Sequence, residues 1–522
     1  MSAARKKMKN NSDGNSSGGY VSVPEFYTGA DVFLTGGTGF MGKVLIEKLL
    51  RSCPDVGRVF VLMRCKQGKT PETRVRDLTD NPLFETLKMK SPEALAKLVP
   101  IFGDCMQLRL GMSDEDLDQL QNVSVVFHLA ASVRFNDPLK DAILTNVLST
   151  REIFEICKGL PLLKAVVHVS TAYSNPEQIN VEERLYPPKA DWRKMLDCAL
   201  QFDHQVLNIL TDKVTNSAPN TYTFTKGLAE QICIDYQDQL PLVIFRPSVV
   251  VNTIDEPLVG WIDNLNGPSG MLLGAGTGIV RTDLLPIENR VNTIPADISI
   301  KALLLAAWQR GTKEQTLRED FLPVYNSAAE YEHSWQYKKM LDCGKANMTK
   351  LSFTRLLWVP GGSATTWRIK YYVMVLLTHI LPALLVDALC VLTGKKPFLM
   401  KIQRKVFLAQ ASLRYFVYNQ WLFETKRFRS LRDELQGGDI TTFSWHLSEE
   451  KVDQFYFDCW LGVRRYLLND PDDTLPKAIK KMNRLILIDR ILKAAFALLV
   501  VYLVWRSSIF HSLETQLVRH SR

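Results

Sequence analysis

The stretch "VFLTGGTGFMGKVLIEKLL", residues 32–50, carries the fold in miniature. "VFLT" reads as a short buried strand, and "GKVLIEKLL" places apolar residues at helical spacing. Between them Gly36, Gly39 and Gly42 stand in a G-x-x-G-x-x-G spacing. A glycine turn there lets the backbone approach a pyrophosphate. The helix behind it offers free N–H groups and its positive dipole end. The strand before and the helix after, more than the glycines themselves, make this a nucleotide-binding signature.

The same alternation continues along the chain. "RVFVLM" (from Arg58), "VPIFGD" (from Val99), "VSVVFHLAAS" (from Val123), "KAVVHVST" (from Lys164) and "LVIFRPS" (from Leu242) read as buried strands separated by helical stretches. Buried strands alternating with helices imply right-handed crossovers and a doubly wound parallel α/β sheet. The end of the second strand reports on the cofactor. A carboxylate there grips the ribose 2′-hydroxyl of NAD. This chain offers "LMRCKQGK" instead, with Arg64 and then Lys66 and Lys69. Cations suit a 2′-phosphate, so NADPH is expected, with Arg64 its reader; Lys66 and Lys69 read equally well as solvated surface charge. Asp104 ends the third strand, placed to meet the adenine amino group, and Ala130 and Ala131 follow the fourth, close to the cofactor. With Thr35, Gly36, Gly37, Thr38, Gly39, Phe40 and Gly42 of the first turn, and Pro247 at the end of the sixth strand, they form the expected cofactor-binding set.

Tyr222 and Lys226, in "NTYTFTKGLAEQ", lie four apart and so share one helical face. No other tyrosine in the chain has a lysine four residues on. The pair also comes about fifty residues after the strand ending in "HVSTAY". Hydride arriving at a carbonyl carbon leaves charge on oxygen, and a phenol hydrogen-bonded there can supply the proton. A neighbouring ammonium favours the phenolate left behind, and Lys226 could also hold the nicotinamide ribose. Thr171, with Ser170 as the alternative, would donate a second hydrogen bond to the same oxygen. His128 and His168 read as satisfied core histidines.

Bulk properties narrow the class. At 522 residues the chain exceeds one ordinary domain. Its net charge of +9 is too diffuse to indicate nucleic acid, and no nucleic-acid-binding signature is present. Nine cysteines without a Cys-x-x-Cys pair suggest neither a metal site nor a disulfide framework, and point to a cytosol-facing body. The first residues, basic and then glycine-rich, read as a disordered tail.

The order of glycine turn, "HVSTAY" and Tyr-x-x-x-Lys resembles the extended short-chain dehydrogenase/reductase superfamily, a Rossmann fold. Within it, "FRPSVVVNTIDEPLVGWIDNLNGPSGMLLGAGTG", "LLWVPGG", "NQWLFETKRFRSL" and "FDCWLGVRRYLLND" closely resemble the alcohol-forming fatty acyl-CoA reductases and their C-terminal sterile region. The resemblance covers about residues 25–490. It implies reduction of a long-chain acyl-CoA to a primary alcohol by two NADPH, with release of CoA and with Thr171, Tyr222 and Lys226 at the reacting centre. One departure is "IPADISIKA", which has Lys301 near the place where the family has an asparagine. The expected division is a tail (1–23), a reductase domain (24–355), a helical sterile-like region (356–484) and an apolar anchor (485–522). Oligomeric state stays open, a homo-oligomer included.

Two segments address a membrane. "YYVMVLLTHILPALLVDALCVLTG", from Tyr371, is long enough to cross a bilayer, which takes about 20 apolar residues. It carries His379, Pro382 and Asp387 and has cations on both sides. A re-entrant or monotopic hairpin therefore competes with a true span, and a soluble helix lining an acyl tunnel is a further reading. "LILIDRILKAAFALLVVYLVW", ending at Trp505, reads as a tail anchor, its charges snorkelling, with an interfacial helix as the alternative. The final "HSR" gives no peroxisomal address, so an endoplasmic-reticulum membrane is expected, with the catalytic domain in the cytosol. Two rival readings are a membrane-bound steroid or sterol dehydrogenase of the same superfamily and a catalytically silent NADPH-sensing scaffold.

Overall fold

The computed structural model describes residues 19–65, 68–215, 218–313 and 322–506. The expected N-terminal tail up to residue 18, Lys66 and the final "HSR" lie outside the described residues. All six expected strands form: β1 (Asp31–Thr35), β2 (Val59–Met63), β3 (Leu98–Phe102), β4 (Val123–His128), β5 (Ala165–Val169) and β6 (Leu242–Pro247). A seventh, β7 (Val324–Ser327), was not anticipated. The seven make one parallel sheet in the order 7-6-5-4-1-2-3. Alternation along β1 sends Val32 and Leu34 into the core on one face and Phe33 into the core on the other, as strands covered on both sides require. The order reverses between β1 and β4, which opens a crevice at their carboxyl ends.

Several of the helices among the described residues shape the crevice and the C-terminal region. α1 (Phe40–Ser52) leaves the glycine turn. α2 (Thr221–Tyr236) carries the tyrosine–lysine pair and is capped by the Asn220 side chain, which accepts from the Thr223 N–H at 2.9 Å. α3 (Pro268–Gly276), α4 (Ala296–Thr312) and α5 (Tyr337–Asn347) belong to the second half of the body. α6 (Arg368–Leu392) and α7 (Leu399–Tyr418) form a hairpin, and α8 (Leu475–Arg506) ends the described chain.

The polar residues that interrupt the first apolar segment are docking groups. The His379 Nε2 accepts from the backbone N–H groups of Arg281 and Thr282, at 2.9 and 3.2 Å. The Asp387 carboxylate accepts from the N–H groups of Phe398, Leu399 and Met400, each at 2.9 Å, and so caps α7. Pro382 does not turn the chain. It begins the straight second part of α6, just after a π-helical turn at Leu376–Ile380 that contains His379. Reversal comes later, at 393–398, where Gly394 has a φ of +72°.

The region after residue 356 is stitched to the reductase body. Ser363–Thr365 pairs with Thr282–Leu284, and Leu422–Phe423 with Asn180–Val181. The Trp421 indole donates to the Pro176 carbonyl at 3.0 Å. Lys301, at the family's asparagine place, reaches Glu256 at 3.0 Å and the Ser444 carbonyl at 3.3 Å. Lys48 meets the same carboxylate at 2.7 Å. The departure is thus part of a buried ionic tie between the body and the C-terminal region.

Candidate active site

The carboxyl ends of β1, β4, β5 and β6 face the start of α2 across the crevice, and the expected residues gather there. Gly36 has a φ of +77°, and a Cβ on it would lie 2.7 Å from the Ala130 nitrogen. One on Gly42 would lie 2.4 Å from the Gly36 oxygen. A side chain at either place would force the turn off the sheet. Gly39 caps α1 with no side-chain bond, so the first N–H groups of that helix point into the crevice free. A pyrophosphate fits this cradle in shape and in charge. The Thr35 hydroxyl accepts from the Ala130 N–H at 3.2 Å and bonds His128 Nδ1 at 2.7 Å, which ties the first turn to the loop bearing Ala130 and Ala131. Phe40 stacks on Trp261 at 5.4 Å. Pro247 ends β6 beside the loop bearing Thr171, its carbonyl accepting from the Ala172 N–H at 2.9 Å.

Arg64 lies exposed at the end of β2. Beside it stands a residue the sequence reading missed. The Arg74 guanidinium donates to the Arg64 carbonyl at 2.6 Å and to Thr38 Oγ1 at 3.2 Å. Burial and then the Arg64 charge lower Arg74 from its ordinary range, the mark of two cations crowded at one place. Arg74 looks in sequence like one more charge on a surface helix, and only folding brings it to Thr38. Lys69, by contrast, pairs with Asp77 on the exposed surface at 2.7 Å. Asp104 is half-buried, one carboxylate oxygen accepting from the Met106 N–H at 3.1 Å.

Tyr222 is half-buried, and its ring stacks on Phe135 with centroids 6.0 Å apart. Burial pushes its phenol up to about 12, and a hydrogen bond with Thr171 draws it partly back. Thr171 is buried and accepts from the Tyr173 N–H at 3.3 Å, while Ser170 is spent elsewhere, donating to Glu230 at 2.6 Å. Glu230 in turn takes Arg246 at 2.7 and 2.8 Å, a buried pair that fastens α2 to β6. Of the two sequence candidates, the Ser170 hydroxyl is thus committed to Glu230, while Thr171 stands beside Tyr222.

Lys226 is fully buried, and its ammonium donates to the Val169 carbonyl at 2.7 Å. Burial lowers it to about 8, with Glu230 opposing. Its charge acts on the His128 and His168 rings, which burial has already made less basic, rather than on the Tyr222 phenol. His128 is satisfied, by Thr35 and by Thr150 at 3.2 Å. His168 departs from expectation: it is buried, and neither ring nitrogen has a hydrogen-bond partner among the described residues.

Known proteins share this arrangement. A family profile described as male sterility protein matches residues 34–303, and a second of the same description, the sterile domain, matches 378–470. Among solved structures, the terminal R domain of the myxalamid PKS-NRPS pathway superposes with a TM-score of 0.55 at 17% identity, over 85% of this chain and 93% of that one. The reductase domain of a nonribosomal peptide synthetase from Mycobacterium tuberculosis gives 0.56 at 17%, over 87% and 94%. Sheet order, glycine turn and family profile together define an NAD(P)-binding oxidoreductase of the extended short-chain type. "Fatty acyl-CoA reductase 1" of Gallus gallus is 35% identical over 497 residues, 94% of each chain. "Fatty acyl-CoA reductase wat" of Drosophila melanogaster is 36% identical over 461 residues, 88% of each. The chain belongs to the fatty acyl-CoA reductase family.

Proposed function

We propose that this protein reduces a long-chain acyl-CoA to a primary alcohol with NADPH, and that Tyr222 is its proton donor. The observation carrying this reading is the Tyr222 phenol beside Thr171, at the mouth of a crevice whose glycine turn suits a pyrophosphate. When bound, NADPH supplies the hydride for both reductions. The glycine turn and the N-terminus of α1 would hold its pyrophosphate. Arg64 and Arg74 would take the 2′-phosphate, and its charge would relieve the crowding of the two guanidiniums. Lys226 would hold the nicotinamide ribose from below.

Tyr222 and Thr171 donate hydrogen bonds to the carbonyl oxygen and so stabilise negative charge as it develops there. In the first round the thioester carbon becomes tetrahedral and the CoA thiolate leaves, giving the aldehyde. In the second, Tyr222 passes its proton to the alkoxide and the alcohol forms. The phenol, raised to about 12, remains protonated until needed. Solvent then returns the proton to the phenolate, while Lys226, one helical turn below, would keep the ribose in place.

The same reading puts the protein on a membrane. α6 is long and apolar enough to span one, but His379 and Asp387 are committed to the protein while Leu377, Leu384, Leu385 and Leu389 stay exposed. A monotopic hairpin, its apolar side in the lipid, reconciles the two. The exposed leucines and valines of α8 beyond Leu487 extend that side. Asp489, which interrupts the second apolar segment, is engaged by the Trp358 indole at 2.9 Å and by Lys493 at 2.6 Å. Purified protein given palmitoyl-CoA and NADPH should yield hexadecanol and free CoA. Tyr222→Phe should lower turnover by roughly 10²–10⁴-fold, the usual contribution of general acid catalysis. Equal rates in the two proteins would remove Tyr222 from the chemistry, and turnover of a steroid ketone in place of the thioester would move the enzyme to the rival class.

A further inference from the structure

An apolar groove of about 400 Å³ runs between α3, α5 and α7. Beside Lys405 and Gln410, the α7 side of its wall carries the apolar Ile402, Val406, Ala409 and Leu413. Steps of four, three and four residues keep these on one helical face. Three residues further on the same face stands Phe416. At 1.5 Å per residue the row from Ile402 to Phe416 is about 21 Å long. Gln410, a polar residue of this wall, is spent within the protein: its carbonyl accepts from the Tyr371 hydroxyl at 3.0 Å, and its amide donates to the Thr282 carbonyl at 3.3 Å.

Phe416 marks where the row reaches the reacting centre. Its ring lies 5.5 Å from Tyr173, whose N–H donates to Thr171, and 5.1 Å from Phe135, which stacks on Tyr222. A second connection comes from the opposite wall. Tyr337 at the start of α5 lines the groove and is near enough to Tyr173 to act on its hydroxyl. The α7 row and the crevice thus border one aromatic cluster.

We propose that this groove holds the alkyl chain of the substrate, with the thioester end at Phe416 and Tyr173 and the methyl end toward Ile402. The side chains on that face of α7 then set the chain length accepted. The assignment rests on the acyl-CoA reading of the active site. Its basis is the chemistry of the wall, whose lining is mostly apolar and rewards methylenes at roughly fourfold in affinity for each one buried, with Asp283, Lys345 and Lys405 its charged members.

Two experiments on the full-length protein test it. Ala409 faces the middle of the groove from an exposed position, so Ala409→Trp fills the groove without displacing core. The ratio of kcat/KM for stearoyl-CoA to that for octanoyl-CoA should fall at least tenfold in the variant; an unchanged ratio overturns the proposal. A palmitoyl-CoA bearing a photoreactive diazirine at its methyl end should, in Tyr222→Phe, label the Ile402–Val406 part of α7; labels confined to other elements overturn it as well. Because labelling needs no turnover, it separates the two readings. Crosslinks on α7 together with a wild-type protein that makes no alcohol would sink the reductase reading and leave the groove standing.

Discussion

Tyr222 and Lys226 meet the same burial with opposite consequences. The phenol is raised to about 12 and the ammonium lowered to about 8, so near neutral pH both still carry their protons. As pH rises, the lysine is the first to lose its proton. Turnover should hold level up to about pH 8 and decline above it as Lys226 becomes neutral, while Tyr222 stays protonated throughout. A profile of kcat against pH checks this, and a rate that stays level well above the lysine's value would separate Lys226 from the chemistry. The pair was legible in sequence because it obeys a local spacing. The commitment of the Ser170 hydroxyl was not, since it depends on Glu230 and Arg246, distant in the chain, drawing it into their own network. The position of Arg74, and His168 having no hydrogen-bond partner among the described residues, escaped for the same reason: neither has a local signature.

Among the elements, the hairpin of α6 and α7 puts the polar interruptions of an apolar run to structural use. Hydropathy alone reports a helix fit to span a bilayer. The fold uses its blemishes as fasteners. His379→Ala would leave the buried N–H groups of Arg281 and Thr282 unpaired, which costs about 1–3 kcal/mol. The unfolding midpoint in detergent should drop accordingly, and an unchanged midpoint would show that the dock contributes nothing. Leu385→Glu with Leu389→Glu places charge on the exposed face of α6 and touches no packed core. Flotation with phosphatidylcholine and phosphatidylserine vesicles should weaken at least several-fold relative to wild type. Equal flotation would move membrane attachment away from the hairpin.

Across the whole molecule, the ionic cluster around Glu256 joins α1, α4 and the C-terminal region. Burial raises the Glu256 carboxyl, but Lys48 and Lys301 outweigh that effect and hold it at about 2. A depressed carboxyl contributes stability above its unfolded value of about 4.3, and that contribution is lost as pH falls through the folded value. Glu256→Gln should therefore destabilise by about 3 kcal/mol at pH 7, since it leaves two buried ammonium groups uncompensated. The gap between variant and wild type should narrow as pH falls from about 4.3 toward 2, as urea titrations across that range would register; a constant gap would deny the carboxylate its role. Lys48 and Lys301 also donate to the carbonyls of Thr442 and Ser444, so the same change should loosen the C-terminal region from the body.

The parallel sheet, the glycine turn, the tyrosine–lysine pair and the kinship with acyl-CoA reductases could all be read from the chain unaided, because each is written in local periodicity or in fixed spacing. The four-residue β7 could not: so short a run carries no alternation of its own, and it becomes a strand by pairing with β6. That the C-terminal region builds a wall of the apolar groove emerged on folding alone. Phe416 packs on Tyr173, a contact between segments more than two hundred residues apart, and no pattern along a chain encodes which distant surfaces will bury each other.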